Sequence, residues 1–187
     1  MPFDFNNLFV GELVKLAPPQ ADDAEGFARW HQDAEYLRNV DTDIARLQPL
    51  AAFESGGYQP ERNSASFRIR TLAEDKLIGF IVIHSIEWGN QTGILSMGIG
   101  EADYRGKGYG GDALKLILRF AFYELNLYRV GLNVTSYNQR GIRAYEKAGF
   151  VREGMIRGQI HRDGQRYDLV WMGILREEWL KISGEKS

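Results

Sequence analysis

Apolar residues change their spacing along this chain of 187 residues. Between residues 67 and 100 the spacing is that of strands. Phe67-Arg68-Ile69-Arg70-Thr71-Leu72 alternates apolar and polar, Leu77 to Ile86 is a mostly apolar run ending at Glu87-Trp88, and Thr92 to Gly100 runs back. Ala73 to Lys76 and Gly89-Asn90 leave room only for turns, so the three segments are expected to form an antiparallel meander. After Gly110 the period becomes helical, with Leu114, Ile117, Leu118, Ala121 and Leu125 recurring on one face. Tyr128 to Thr135 returns to strand character, with Val130, Leu132 and Val134 on one side. A helix starting at Asn138 should end at Gly149, the residue best suited to a position just past a helix. Val151 to Ile160 and Arg166 to Ile174 flank Asp163-Gly164, a strong hairpin signal.

The first third is less regular. Val10 to Leu16 reads as a strand stopped by Pro18-Pro19, and Asp22 and Asp23 could cap a helix through Phe27, Trp30 and His31. Residues 34 to 54 should hold one more short helix, and Ser55 to Pro60 a loop. The predicted order is β α α β β β α β α β β. That is a mixed α/β (α+β) sheet, mostly antiparallel, with flanking helices and one strand–helix–strand crossover near its middle. No internal repeat interrupts it, so residues 1–187 are read as a single domain.

Composition narrows the function. The formal net charge of -2, from 23 Lys+Arg and 25 Asp+Glu, gives no broad basic face, so no nucleic-acid partner is expected. With no cysteine, disulfides, cysteine-ligated zinc and a cysteine nucleophile are excluded. His31, His84 and His161 lie far apart without ligand spacing, so no metal is expected. No apolar stretch approaches 18 residues and the Met-Pro-Phe-Asp-Phe start lacks a secretory pattern, so the expectation is a cytoplasmic protein without a membrane partner.

The chemistry concentrates at Arg105-Gly106-Lys107-Gly108-Tyr109-Gly110, between a strand and the amphipathic helix. Glycines remove the Cβ atoms that would hold an anion off the backbone. The first amides of the helix lack intrahelical acceptors and lie at its positive dipole end. Together these make a seat for phosphate or pyrophosphate. A nucleoside-triphosphate loop is disfavoured because Gly108 follows Lys107 where Ser or Thr is needed. Gly106, Gly108 and Gly111 fit GxGxxG, but polar residues 101–105 separate them from the strand, and positions 128 to 138 offer no acidic ribose partner.

Arg105-x-x-Gly108-x-Gly110 resembles the pyrophosphate loop of the GNAT superfamily of acyl-CoA-dependent N-acetyltransferases. Asn138-Gln-Arg-Gly-Ile-Arg-Ala-Tyr145-Glu-Lys-Ala-Gly149-Phe150 is similar to that superfamily's second signature, apart from Gly141, where a small residue such as Ala is usual. Asp163-Gly164 and Tyr167-Asp168 in the final hairpin resemble the ribosomal-protein and diamine acetyltransferase branches, and the first of these is the nearer match. The resemblance implies a seven-stranded GNAT-like sheet whose middle strands splay apart. Residues 8–65 would form the acceptor side, 92–150 the acetyl-CoA-binding core and 151–175 the C-terminal hairpin.

The same resemblance implies a set of roles. Met97, Gly98 and Ile99 would offer backbone groups to the cofactor's pantetheine arm and the oxyanion. Arg105, Gly106, Lys107, Gly108, Tyr109, Gly110 and Asn138 would bind the rest of acetyl-CoA. Tyr145 would protonate the leaving thiolate. Read from the residues alone, Tyr145 is a packing residue, Asn138 a helix cap and Gly149 a helix stop. Glu101 is the first candidate for a general base, beside Glu87, His84 and Asp168. The acceptor is left open between a protein N-terminal α-amine and a small-molecule amine such as a polyamine, and a homodimer is left open too. A catalytically silent acetyl-CoA-binding regulatory module is the alternative, and a dinucleotide-dependent oxidoreductase a distant third.

Overall fold

In the computed structural model, which describes residues 8–54 and 62–184, the chain builds one seven-stranded sheet. The strands are β1 (Val14–Ala17), β2 (Ala65–Thr71), β3 (Leu77–Glu87), β4 (Thr92–Ile99), β5 (Arg129–Thr135), β6 (Val151–Arg162) and β7 (Gln165–Leu175), and they lie in the order β1-β2-β3-β4-β5-β7-β6. The helices are α1 (Asp23–Trp30), α2 (Ala34–Val40), α3 (Ala51–Glu54), α4 (Tyr109–Arg119), α5 (Gln139–Lys147) and α6 (Arg176–Ser183). The meander is present as expected, with antiparallel β2–β3 and β3–β4 pairs.

Among the described residues β4 and β5 form the only parallel pair, joined over α4, and this is the expected crossover. Their register covers Thr92, Gly93 and Ile94 against Arg129, Val130 and Gly131 and then stops. From Leu95 onward β4 has β3 on one side and, among the described residues, no partner strand on the other. A strand edge with unpaired N–H and C=O groups is costly to bury unless something completes it. The splay therefore opens a backbone-lined cleft in mid-sheet.

The sheet divides two cores. Leu114, Ile117 and Leu118 of α4 are buried with Ile81, Ile83, Val130 and Leu132. Burying each such side chain stabilises by about 1.5–3 kcal/mol. On the other face Trp30, Tyr36 and Leu37 pack with Phe27, Val40, Leu77 and Phe80. Alternation along β4 sends Met97 and Ile99 toward α4 and Gly98 toward α2.

Several boundaries differ from the sequence reading. β1 begins at Val14, and Val10 makes only an isolated bridge to Lys15. The stretch from 34 to 54 holds two helices rather than one. Asp22 occupies the cap position of α1 without a side-chain bond, while the buried Asp23 carboxylate binds the Gln20 amide, Arg68 and Arg70. Residues 120–124 continue α4 as a π-helical turn, which frees the Phe122 carbonyl to accept from Arg176. α6 was not anticipated; its start is capped by Glu178, which accepts from the Leu175 amide. The predicted loop Ser55–Pro60 lies outside the described residues. The hairpin formed as expected, with Asp163 (φ 49°) and Gly164 (φ 74°) both left-handed as a type I′ turn requires.

Candidate active site

The glycine loop ends at the N-terminus of α4. Gly108 caps the helix at φ 94°, a backbone that L side chains rarely adopt. The first helical bond runs from the Asp112 amide to the Gly108 carbonyl, so the amides of Tyr109, Gly110 and Gly111 precede the ladder. A Cβ at Gly106 or Gly111 would meet nothing within 4 Å. Gly106 is required by its left-handed backbone (φ 74°), whereas Gly111 has no such constraint and leaves open space at the helix start. The carboxylate of Asp112, in the first turn, is buried and accepts from the amides of Leu13 (2.7 Å) and Val14 (3.0 Å). It draws residues 10–13 over the helix mouth.

The two basic residues of the loop have different surroundings. Lys107 is exposed. Arg105 turns inward, with its side chain only 8% exposed. It donates from Nε to the Ile99 carbonyl (3.0 Å) and from Nη2 to the Gly100 carbonyl (2.7 Å) and Asp33 (3.0 Å). Its guanidinium thus brackets the end of β4 to α2, while the residue still lines the cavity below. The charge the sequence assigned to the phosphate is engaged with carbonyls and Asp33. Asp33 also caps α2 by accepting from Glu35 and Tyr36. Burial works to raise its pKa, but the hydrogen bond from Arg105, the backbone amides and the Arg105 charge prevail and hold it below the usual carboxylate range.

A cavity of about 1090 Å³ runs from Gly108, Gly110 and Gly111 past Met97–Ile99 to Asn138 and Tyr145. Gly100 donates its amide to the Ile78 carbonyl, which places Gly98 in a hydrogen-bonded pair with Phe80. By alternation, the N–H and C=O groups of Met97 and Ile99 point away from β3, into the splay. Gly110 fits against the Met97 and Ile99 side chains, where a Cβ would sit 3.5 and 3.7 Å from them.

α5 forms the far wall. Asn138 caps it through Oδ1, which accepts from the Gly141 amide at 2.9 Å, and its Nδ2 lies 3.4 Å from the Asn39 carbonyl. Tyr145 is half-buried, lines the cavity and meets Phe150 edge-on at 5.9 Å. Burial pushes its phenol up to about 12, so it stays protonated at neutral pH.

The structure gives Glu101 another position. Its carboxylate accepts from Arg29 and from Trp30 Nε1 (2.9 Å) and lies 3.5 Å from Lys76, away from the cavity-lining residues. Burial raises its pKa, but the bonds from Trp30 and Arg29 and the charges of Arg29 and Lys76 outweigh burial and lower it. A carboxylate so held is a weak proton acceptor, and this one is bound to Arg29 and Trp30 and does not line the cavity. His84 faces Ser85 and Ser96, Glu87 accepts from Asn90, and Asp168 accepts from the Gly158 amide. None of these three lines the cavity. Tyr36 does, in keeping with the acceptor side expected of the first 65 residues; sequence reasoning missed Asn39 and Arg140, which line it too. Only the tertiary fold brings Asn39 of α2 and Arg140 of α5 to one cleft, so no local spacing signalled them.

Comparison with known proteins agrees with this geometry. The family profile described as "Acetyltransferase (GNAT) domain" matches residues 14–151. The SPbeta prophage-derived uncharacterized N-acetyltransferase YokL of Bacillus subtilis is 32% identical over 171 residues, 91% of this chain and 94% of YokL. YdaF of the same organism, named as a candidate ribosomal N-acetyltransferase, is 30% identical over 115 residues, 62% of this chain and 61% of its own. The crystal structure of spermidine N-acetyltransferase from Vibrio cholerae in complex with CoA and spermine superposes with a TM-score of 0.80 at 20% identity, covering 89% of this chain and 98% of that one.

Proposed function

The chain belongs to the GNAT acetyltransferase family and is an acyl-CoA-dependent acyltransferase, and on that premise we propose that it moves an acetyl group from acetyl-CoA to a primary amine, with Tyr145 as proton donor to the leaving thiolate. The observation that carries this reading is the single cavity linking the glycine-headed end of α4, the unpaired edge of β4 and the Tyr145 phenol. Residues 8–65 would face the acceptor, 92–150 hold the cofactor and 151–175 close the sheet, all within one domain.

The cosubstrate supplies an activated acyl carbon, on which the C–N bond forms as the C–S bond breaks. The amides of Tyr109, Gly110 and Gly111 suit the pyrophosphate, with Gly106 and Gly108 leaving its approach clear and exposed Lys107 beside it. Arg105 sets the loop's position from behind, and Asn138 borders the cofactor channel. The splay-facing amides of Met97 and Ile99 are the donors for the oxyanion. Tyr145, with its phenol at about 12, faces a thiol of roughly 8.5, so full transfer is uphill by ~5 kcal/mol until the proton released by the attacking amine replaces the one given up. The phenol therefore acts first as a hydrogen-bond donor to the growing negative charge on sulfur.

Charge favours an isolated α-amine over a polyamine. Asp33 pairs with Arg105, Glu35 with Arg140, Asp163 with Arg38 and Glu101 with Arg29. Among the described residues the carboxylates lining the cavity are Glu12 and Asp112, both at the α4 end. The spermine-bound structure shares the fold, but among the described residues from 22 to 54 no carboxylate lines this chain's cavity to receive a second ammonium. A protein-type α-amine, of pKa ~7.7–8.0, is neutral in roughly a tenth of molecules at pH 7, which lessens the need for a strong base.

The test follows thiol release with acetyl-CoA and a lysine-free hexapeptide bearing a free α-amine, with spermidine in parallel. Tyr145→Phe should lower kcat roughly 10²- to 10⁴-fold and leave acetyl-CoA affinity within about twofold. An unchanged kcat removes Tyr145 from this role. CoA binding without turnover of either amine favours the silent module instead.

A further inference from the structure

Tyr36 is 4% exposed, yet its hydroxyl has no hydrogen-bond partner among the described residues. Buried polar groups are nearly always paired, and an orphan in a native fold points to a strained or functional position. The ring is fixed on several sides: Trp30 at 6.0 Å, His31 edge-on at 5.8 Å and the Arg105 guanidinium 5.9 Å from its centroid. Tyr36 lines the cavity, and its Cε2, next to the hydroxyl-bearing carbon, is the ring atom nearest Gly98, where a Cβ would meet it at 3.2 Å. Gly98 is the α2-facing residue between the two whose backbone faces the splay. The cap of α2 that sets this ring, Asp33, is itself held by Arg105.

We propose that the Tyr36 hydroxyl receives the acceptor amine, accepting one of its N–H bonds so that the nitrogen lone pair is turned toward the acyl carbon held beside Gly98. The inference rests on the acetyl-transfer reading above and adds a substrate-contacting residue on the face opposite α4. A neutral primary amine has two N–H donors and one lone pair, so one hydrogen bond orients it without consuming the pair. Burial, against the charges of Arg105 and Arg68, raises the phenol above its ordinary pKa, so it remains a neutral acceptor and donor throughout the working range. Tyr145 lies on α5, across the cavity, where the leaving sulfur rather than the amine is served.

The experiment compares wild type, Tyr36→Phe and Tyr145→Phe with acetyl-CoA and the same hexapeptide. Tyr36→Phe should lower kcat/KM for the peptide about tenfold, chiefly through KM, and leave the KM for acetyl-CoA within about twofold. Its thermal midpoint should be equal to wild type or higher, because an unpaired buried hydroxyl is removed. A peptide kcat/KM within twofold of wild type overturns the proposal, as does a fall of several degrees in the midpoint, which would mean the hydroxyl has a structural partner. If Tyr145→Phe is crippled while Tyr36→Phe matches wild type, the role of Tyr36 alone fails. If wild type binds CoA but acetylates neither the peptide nor spermidine, the transfer reading fails and takes this inference with it; if it acetylates spermidine but not the peptide, the role of Tyr36 toward the peptide amine fails while the transfer reading stands.

Discussion

Arg105 lets two roles open to a loop arginine, bracing the backbone and binding phosphate, be separated by measurement. Replacing it with Ala removes two charge-assisted bonds, to the carbonyls of Ile99 and Gly100, and one to Asp33, from a side chain 8% exposed. Hydrogen bonds to charged groups contribute about 1.5–3 kcal/mol each. The Asp33 bond is discounted to about 1 kcal/mol or less, since that carboxylate is 37% exposed and water can replace the partner. Allowing water to reach one carbonyl leaves a loss of roughly 3–5 kcal/mol, a large share of the 5–15 kcal/mol expected for a domain. At about 2–4 °C per kcal/mol for a chain of this size, the thermal midpoint should fall by roughly 6–20 °C. Arg105→Lys should recover little of this, because one ammonium cannot span two carbonyls and a carboxylate as the planar fork does. Differential scanning calorimetry gives the midpoints, and titration with CoA at a temperature where both variants are folded gives affinity. If Arg105→Ala keeps its midpoint within about one degree while CoA affinity falls tenfold or more, the bracket argument is wrong and Arg105 is a direct phosphate ligand.

Gly108→Val should weaken CoA binding at least tenfold and cost about 1–3 kcal/mol of stability, because a branched residue cannot relax at φ 94°; calorimetry showing equal affinity counts against the loop as the seat. Asp33 and Glu101 have folded-state pKa values below their unfolded ones, so their contribution is complete above about pH 4–5 and is lost as pH falls through the lower folded values. Urea midpoints from pH 6 to pH 2 should therefore fall less steeply for Asp33→Asn with Glu101→Gln than for wild type; parallel curves would contradict this. With the peptide amine, kcat/KM should rise through pH ~7.7–8.0 as the amine deprotonates and show no descending limb below pH 10, since the Tyr145 phenol titrates near 12. A limb centred near 8 would indicate another essential acid.

Much of this molecule is legible in its sequence. The meander, the crossover helix, the Asp163-Gly164 hairpin and the Asn138 cap follow from spacing and turn chemistry, which act over a few residues. The glycine-headed start of α4 is legible for the same reason: glycines and a helix start lie within one short segment, and their backbone geometry needs no distant partner. The N-terminal third was harder to read. β1 and α3 are four residues each, and the second acidic residue of the Asp22-Asp23 pair is drawn away from capping by Arg68 and Arg70 from β2.

What the sequence by itself determined is local: most of the strands and helices, several of their stops, and a helix that begins directly after a glycine loop. What only the tertiary structure decided is which groups face one another across the cleft. It turned Arg105 inward, tied Glu101 to Arg29 and Trp30, and brought Tyr36 from residues far upstream to the splay beside Gly98. The physical reason is that backbone conformation is set by neighbours a few positions away. The partner of a charge or hydroxyl is set by burial, which forces each buried polar group to find whatever the packed chain places within about 3 Å.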